Sequence, residues 1–387
     1  MRKIGIITSS CGKSGTYGCN YGAALQGYAL VMQLRELGFD AYDINYISDN
    51  EYRPQHYNIL KRTLLRLPLL LNPKEVKGKI EQIKKRNVLN LNLSYFKDFV
   101  NQNNLTYNNG AFYTLQELKK ESSSFFAFIT GSDVVWNPYL HKNVNDPGYF
   151  LDFTEKDIKR ISYAASFGVT VLPEESRLTL KSLLEKFDAV SVRENSGAEL
   201  IKRETGLSVK VVLDPTLLLD PVKYNDIECD VSDLPSKYIA VYRFGNLEHT
   251  DQKIREISRK LNLPIVFIPS GRTNEYNVRY DVGPGEFIHI IKHADLVLSD
   301  SFHCTVFCLI NHIPFLTFYR SKPLNGKDIN SRMIDLLDTV DLTNRIVEPG
   351  KEINYETLFQ INFTEPDEIL KKMRMESLQF LKNALEI

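Results

Sequence analysis

The chain has 387 residues, with 48 Lys+Arg against 48 Asp+Glu and a sequence pI near 7.0. That balance disfavours a general nucleic-acid binder, whose phosphate affinity needs a cationic surplus that displaces counterions. With 43% hydrophobic and 25% charged residues the composition is ordinary globular, which removes the disordered and fibrous classes. At about 150 residues per domain, the length points to two domains.

At the N-terminus the apolar stretch after Met1-Arg2-Lys3 ends after four residues, too short for a signal-peptide core. No run reaches the roughly 18 apolar residues of a membrane span. The odd count of five cysteines (Cys11, Cys19, Cys229, Cys304, Cys308) reads as reduced thiols. A cytoplasmic location is therefore expected.

Lys3–Ser9 reads as a strand and Cys11–Asn20 as a glycine-studded loop. Gly22–Leu37 reads as a helix stopped by Gly38, and Asp40–Tyr46 as a second strand. Strand, helix, strand in this length implies a right-handed crossover and a parallel sheet. The pattern continues with strands Phe125–Thr130, Ile161–Ser166, Ala189–Arg193 and Val209–Leu213, and helices Glu174–Phe187 and Ser196–Thr205. Asp220–Lys237, polar and without periodicity, is the expected hinge. A second series follows: strands Tyr238–Phe244, Pro264–Ile268, Leu296–Ser299 and Pro314–Phe318, with helices Asp251–Leu261, Gly285–His293, Phe302–Asn311 and Ser331–Leu337. The expected fold is α/β, two Rossmann-like domains facing across a cleft. The first covers 1–221 with a basic helical insertion at about 55–100, the second 236–345, and a C-terminal helix at 365–387 could cross back to the first.

Within that insertion, 61–86 carries nine basic and two acidic residues beside the leucine-rich Leu64–Leu71. Two readings stand. Either the leucines pack on the main domain beneath a solvated basic face, or the segment lies peripherally on an anionic membrane surface.

Some signals fail. Ile7 stands where a P-loop ending in Gly12-Lys13-Ser14 needs its first glycine. His289 and His293 share a helical face but lack the glutamate of a zinc-protease helix. Cys304 and Cys308 share a face with no further ligand at metal spacing, so buried thiols are expected.

Four stretches place polar groups just beyond a strand, where α/β folds build their sites. They are Asn20–Gln26, Phe128–Asn137 with Asp133 and Trp136, Ser191–Glu194 with Arg193, and Asp300–Cys304 with Ser301 and His303. Each also has a structural reading: Asn20 and Asp300 as helix caps, Asp133 as a turn residue, Arg193 as a partner of Glu194, His303 as an interior histidine.

In this order, Asn20-Tyr-Gly-Ala-Ala-Leu-Gln26, Gly131-Ser-Asp-Val-Val-Trp-Asn137, Ser162-Tyr-Ala-Ala-Ser-Phe-Gly168, Val192-Arg-Glu194, Leu213-Asp-Pro-Thr216 and Ser301-Phe-His303, with Ser331-Arg332 beyond, resemble the polysaccharide pyruvyl transferase family. The resemblance spans about residue 4 to about residue 340. Two positions depart from it. Val134 stands where relatives often have Gln, and Ser301-Phe302-His303 where some have Arg-Leu-His, so the first cation of that segment is absent and Arg332, Lys322 and Arg243 are the candidates to compensate for it.

The resemblance implies a fold similar to GT-B glycosyltransferases. It implies transfer of pyruvate from phosphoenolpyruvate to two hydroxyls of a sugar, forming a cyclic ketal on a capsular or exopolysaccharide or its precursor. Phosphoenolpyruvate would be held by Arg193, by Ser301, Phe302, His303 and Cys304, and by Arg332. The acceptor, a sugar or lipid-linked oligosaccharide, would be held by Asn20, Gly22, Gln26 and Trp136. The chemistry of the residues agrees. A planar guanidinium and a helix N-terminus suit phosphate and carboxylate, and a histidine titrating near neutrality suits proton transfer. His303 is the expected general acid and Asp133 a base or hydroxyl-orienting group, with no metal or cofactor. Two alternatives remain: a GT-B glycosyltransferase using a nucleotide sugar, and a catalytically silent glycan-binding relative.

Overall fold

The computed structural model describes residues 1–9, 20–48, 92–140, 144–245, 248–270, 279, 281–320, 330–348, 350 and 352–387. Strand β1 (Lys3–Ile7) is buried from Ile4 onward, as an apolar parallel strand covered on both faces must be. With β2 (Asp40–Asp43), β3 (Ala127–Thr130), β4 (Lys159–Ala165), β5 (Ala189–Val192) and β6 (Lys210–Val211) it forms a parallel six-stranded sheet, ordered β2-β1-β3-β4-β5-β6. A parallel five-stranded sheet, ordered β8-β7-β9-β10-β11, follows from β7 (Ile239–Tyr242), β8 (Ile265–Phe267), β9 (Leu296–Ser299), β10 (Phe315–Phe318) and β11 (Ile346–Val347). Two such α/β units make the architecture GT-B-like.

The helices that matter for the site are α1 (Tyr21–Glu36), α2 (Glu174–Leu184), α3 (Asn195–Thr205), α4 (Pro215–Leu218), α5 (Glu248–Leu261), α6 (Pro284–Lys292), α7 (Phe302–Ile310), α8 (Ser331–Thr339) and α9 (Thr364–Leu385). Thirteen of the 16 residues of α1 are buried, because the helix has core on more than one side. One side covers the first sheet, and Tyr21 crosses to the second domain. Its ring stacks on Phe287 of α6 at 4.8 Å between centroids, and its hydroxyl donates to the Val282 carbonyl at 3.1 Å. At the other end of the interface, the Ser196 N–H and hydroxyl at the start of α3 donate to Asp335 of α8 at 3.2 and 2.9 Å. α9 returns to the first domain, where Ser377 Oγ accepts from the Leu213 N–H at 2.9 Å and Arg374 Nε donates to the Leu217 carbonyl at 2.8 Å.

The strand expected over Asp40–Tyr46 is two strands. β2 ends at Asp43, and Asn45–Tyr46 pairs instead with Phe112–Tyr113. Asp43, Ile44, Asn45 and Tyr46 are all buried, so no alternation continues past β2, and Asn45 Nδ2 finds its acceptor in the Gly110 carbonyl at 3.0 Å. The basic segment 61–86, Cys11, Cys19 and Lys322 lie outside the described residues. Among the described residues no helix is long and apolar enough to cross a membrane, and Cys229, Cys304 and Cys308 are free thiols.

Candidate active site at the domain junction

Three of the stretches are tied together by backbone before any side chain is considered. The turn after β3 puts Asp133 in the left-handed region (φ 69°), which an Asp tolerates better than a bulkier residue. Its carbonyl accepts from the Ser166 N–H at 3.0 Å, and the Ser166 carbonyl accepts from Trp136 N–H at 3.1 Å. The Ala165 carbonyl accepts from the Arg193 N–H at 3.2 Å beside a register shift in β4. Asp133 and Arg193 are thus set at the ends of the two strands that flank β4, and point into one space.

The side chains meet there. Arg193 Nη1 donates to Asp214 Oδ2 at 2.8 Å and to Ser132 Oγ at 3.3 Å, its Nη2 lies 3.8 Å from Asp133 Oδ1, and its Nε lies 3.5 Å from Glu194 Oε2. Arg332 Nη1, from α8 in the second domain, donates to Asp133 Oδ1 at 3.2 Å. His303 Nε2, from the first turn of α7, stands 3.5 Å from Asp214 Oδ2. The Phe302 ring lies 4.5 Å from the Arg193 guanidinium carbon, a cation–π contact. All six ionisable groups, Asp133, Arg193, Glu194, Asp214, His303 and Arg332, are buried. Yet Arg193 Nε and Nη2, Arg332 Nε, His303 Nε2 and Glu194 Oε2 make no hydrogen bond within the protein. Beside them is a cavity of about 130 Å³ walled in part by Arg193, Phe302 and Arg332.

The electrostatics follow from burial and pairing. Burial raises the Asp133 carboxyl, but Arg332 and Arg193 outweigh it and hold the group below the usual carboxylate range. Asp214 behaves likewise and is held well below that range by His303, Arg193 and the Thr216 hydroxyl. For Glu194 burial wins over Arg193 and its carboxyl is raised. Burial and the neighbouring Arg193 charge push the Arg332 guanidinium down to about 10, so it stays charged at neutral pH.

Of the residues expected at phosphoenolpyruvate, Arg193, Phe302, His303 and Arg332 converge here. Ser301 caps α7, accepting from the Cys304 N–H at 3.5 Å, and the Cys304 side chain is buried in the apolar core. Of the three cations offered for the missing arginine, Arg332 is in the cluster, whereas both Nη atoms of Arg243 bond Asp251. Asp133 is the partner of Arg332, and a carboxylate held below its usual range is a weak base. Asn20 caps α1 through the Ala23 N–H at 3.3 Å, and Gln26 Nε2 donates to Thr8 Oγ1 at 2.9 Å. Trp136 departs from expectation. Its indole N–H donates to the Tyr149 carbonyl at 3.1 Å, and its ring is enclosed by Phe150, Phe167 and Phe187, so it is core and not an acceptor platform. Val134 is the partly exposed residue of that loop.

Asp214 is the member of this cluster that sequence reasoning passed over. One of its oxygens caps α4 through the Thr216 N–H at 2.9 Å, the local role its sequence advertises. The other collects Arg193, Ser132 and His303, which only the fold brings together.

Gly22 meets His303 across the domain junction. A Cβ at position 22 would lie 2.2 Å from His303 Nδ1, so the two helix starts approach as closely as they do because no side chain intervenes. Gly22→Ala gains about 1 kcal/mol of helix propensity yet must displace the imidazole. Turnover is expected to fall by about 10²-fold, the effect of roughly 1 Å of misplacement, with a smaller change in thermal midpoint. Normal turnover in that variant would show that His303 need not sit where it does.

A family model described as polysaccharide pyruvyl transferase matches residues 20–322. No curated protein sequence matches the chain. Among solved structures, UDP-N-acetylglucosamine 2-epimerase from Rickettsia bellii is similar at a TM-score of 0.47 and 10% identity, covering 100% of this chain and 97% of that one. UDP-GlcNAc 2-epimerase from Neisseria meningitidis, with UDP-GlcNAc bound, is similar at 0.44 and 11% identity, covering 98% and 100%.

Proposed function

Since the chain belongs to the polysaccharide pyruvyl transferase family, we propose that it moves the pyruvyl group of phosphoenolpyruvate onto two hydroxyls of one sugar, releasing phosphate and closing a cyclic ketal. The observation that carries this reading is the junction cluster itself. Two buried guanidinium groups with free N–H donors stand beside a histidine, a donor set suited to a small dianion carrying phosphate and carboxylate.

In this reading Arg193 and Arg332 hold the anionic groups and neutralise the phosphate as it leaves. The first sugar hydroxyl adds to C2 while C3 gains a proton and becomes a methyl group, and the proton that this hydroxyl gives up restores the donor of the C3 proton. The second hydroxyl then displaces phosphate from C2, and its proton leaves with the phosphate. His303 delivers the proton to C3 as general acid, held in orientation by Asp214 on one side and by the bare backbone of Gly22 on the other. The acceptor is a sugar of a surface polysaccharide or of its precursor, and the α1 start at Asn20 and Gly22 faces it across His303.

Calorimetric titration of phosphoenolpyruvate tests the anion clamp. The dissociation constant should rise by roughly 10- to 100-fold in Arg193→Ala, the weight of a charge-assisted contact of about 1.5–3 kcal/mol. An unchanged constant would remove Arg193 from the donor site.

A further inference from the structure

Away from the junction, the segment 220–237 and α6 build a second cluster. α6 buries Phe287, Ile288, Ile290 and Ile291 and turns His289, Lys292 and His293 outward on one stripe. Glu228 lies against that stripe. Its Oε1 is 3.0 Å from His289 Nδ1 and 3.3 Å from His293 Nε2, and its Oε2 accepts from Lys292 Nζ at 2.6 Å. Asp230 Oδ1 is 3.6 Å from the same His289 nitrogen. One ligand atom each from Glu228, His289 and His293 falls within 4.8 Å of the others.

A tetrahedral ion with ligands at about 2.0–2.1 Å separates those ligands from one another by roughly 3.3 Å. The two N···O separations are near that spacing already, so an ion can enter without rebuilding the backbone. Histidines four apart on a helix present both imidazoles to one point. Lys292 fixes the far carboxylate oxygen and leaves the near one aimed at the two rings, the kind of support that outer-sphere groups give to metal ligands. Two imidazoles and one carboxylate favour late first-row divalent ions over Mg²⁺ or Ca²⁺, which take oxygen ligands.

We propose that Glu228, His289 and His293 form a binding site for a divalent transition ion of the zinc class, with Asp230 or water completing the coordination. The ion fastens segment 220–237 to the outer face of α6. The inner face of the same helix carries Phe287 onto Tyr21, so the fastening backs the domain interface without entering the chemistry at His303.

The test uses the full-length, tag-free protein, stripped with a chelator and exchanged into metal-free buffer. Zn²⁺ is titrated by calorimetry and Co²⁺ by its visible absorption. One saturable ion per chain is expected, with a Co²⁺ spectrum of tetrahedral intensity lacking thiolate charge transfer, and with Zn²⁺ raising the thermal midpoint. Binding should weaken by roughly 10-fold or more in His293→Ala, whose half-exposed ring leaves folding intact, and likewise in Glu228→Gln. No saturable binding by the unaltered chain, equal binding by both variants, or a thiolate-type spectrum would each overturn the proposal.

Discussion

Replacing His303 by alanine is expected to lower phosphate release from phosphoenolpyruvate by about 10²–10⁴-fold, the range lost with a positioned acid or base. The protein should stay folded. Asp214 keeps Arg193, Ser132 and Thr216 when the imidazole is gone, so no carboxylate is orphaned. The space left between Phe302 and Gly22 costs packing but breaks no hydrogen bond, since Nε2 makes none within the protein. Steady-state turnover together with circular dichroism checks both halves. Turnover within a few-fold of the unaltered chain would end the acid assignment.

Asp214→Ala is expected to be the most destabilising of the site substitutions. The change removes the hydrogen-bonded anion of Arg193 in a fully buried setting and leaves the guanidinium with Asp133 at 3.8 Å and Glu194 at 3.5 Å. Losing one partner of a buried ion pair costs about 3–5 kcal/mol, and the α4 cap goes with it, worth about 1 kcal/mol more. The pH dependence carries a sign. A carboxyl held well below its ordinary value of about 3.9 stabilises the fold fully above that value and ceases to do so as pH falls through the folded-state value. Acid unfolding of the unaltered chain should therefore show a steep limb at low pH that flattens in Asp214→Ala. Denaturant unfolding at several pH values measures it, and superimposable pH profiles would deny Asp214 that role.

Strand ends were legible because each parallel strand is a short apolar run closed by polar residues, and this chain repeats that signal through both domains. Arg193 and His303 were legible for the same reason: one sits one residue beyond β5 and the other four residues beyond β9, at the start of α7. The choice of Arg332 was not, since it meets Asp133 across 199 positions of sequence and nothing local distinguishes it from Arg243. Asp214 hid behind a local role, because a carboxylate before Pro215 explains itself as a cap. Trp136 misled because a lone tryptophan beside a loop motif gives no sign of the three phenylalanines that enclose it. Likewise, His289 and His293 read as a failed protease motif until the fold set Glu228 between them.

The most direct measurement incubates the purified protein with phosphoenolpyruvate and a panel of free and lipid-linked sugars. Phosphate is followed by colour and products by mass spectrometry, with UDP- and GDP-sugars run in parallel. The expected result is acceptor-dependent phosphate release and a product heavier by one pyruvate ketal, both lost in His303→Ala. Consumption of a nucleotide sugar while phosphoenolpyruvate is left untouched would contradict pyruvyl transfer as the activity of this chain.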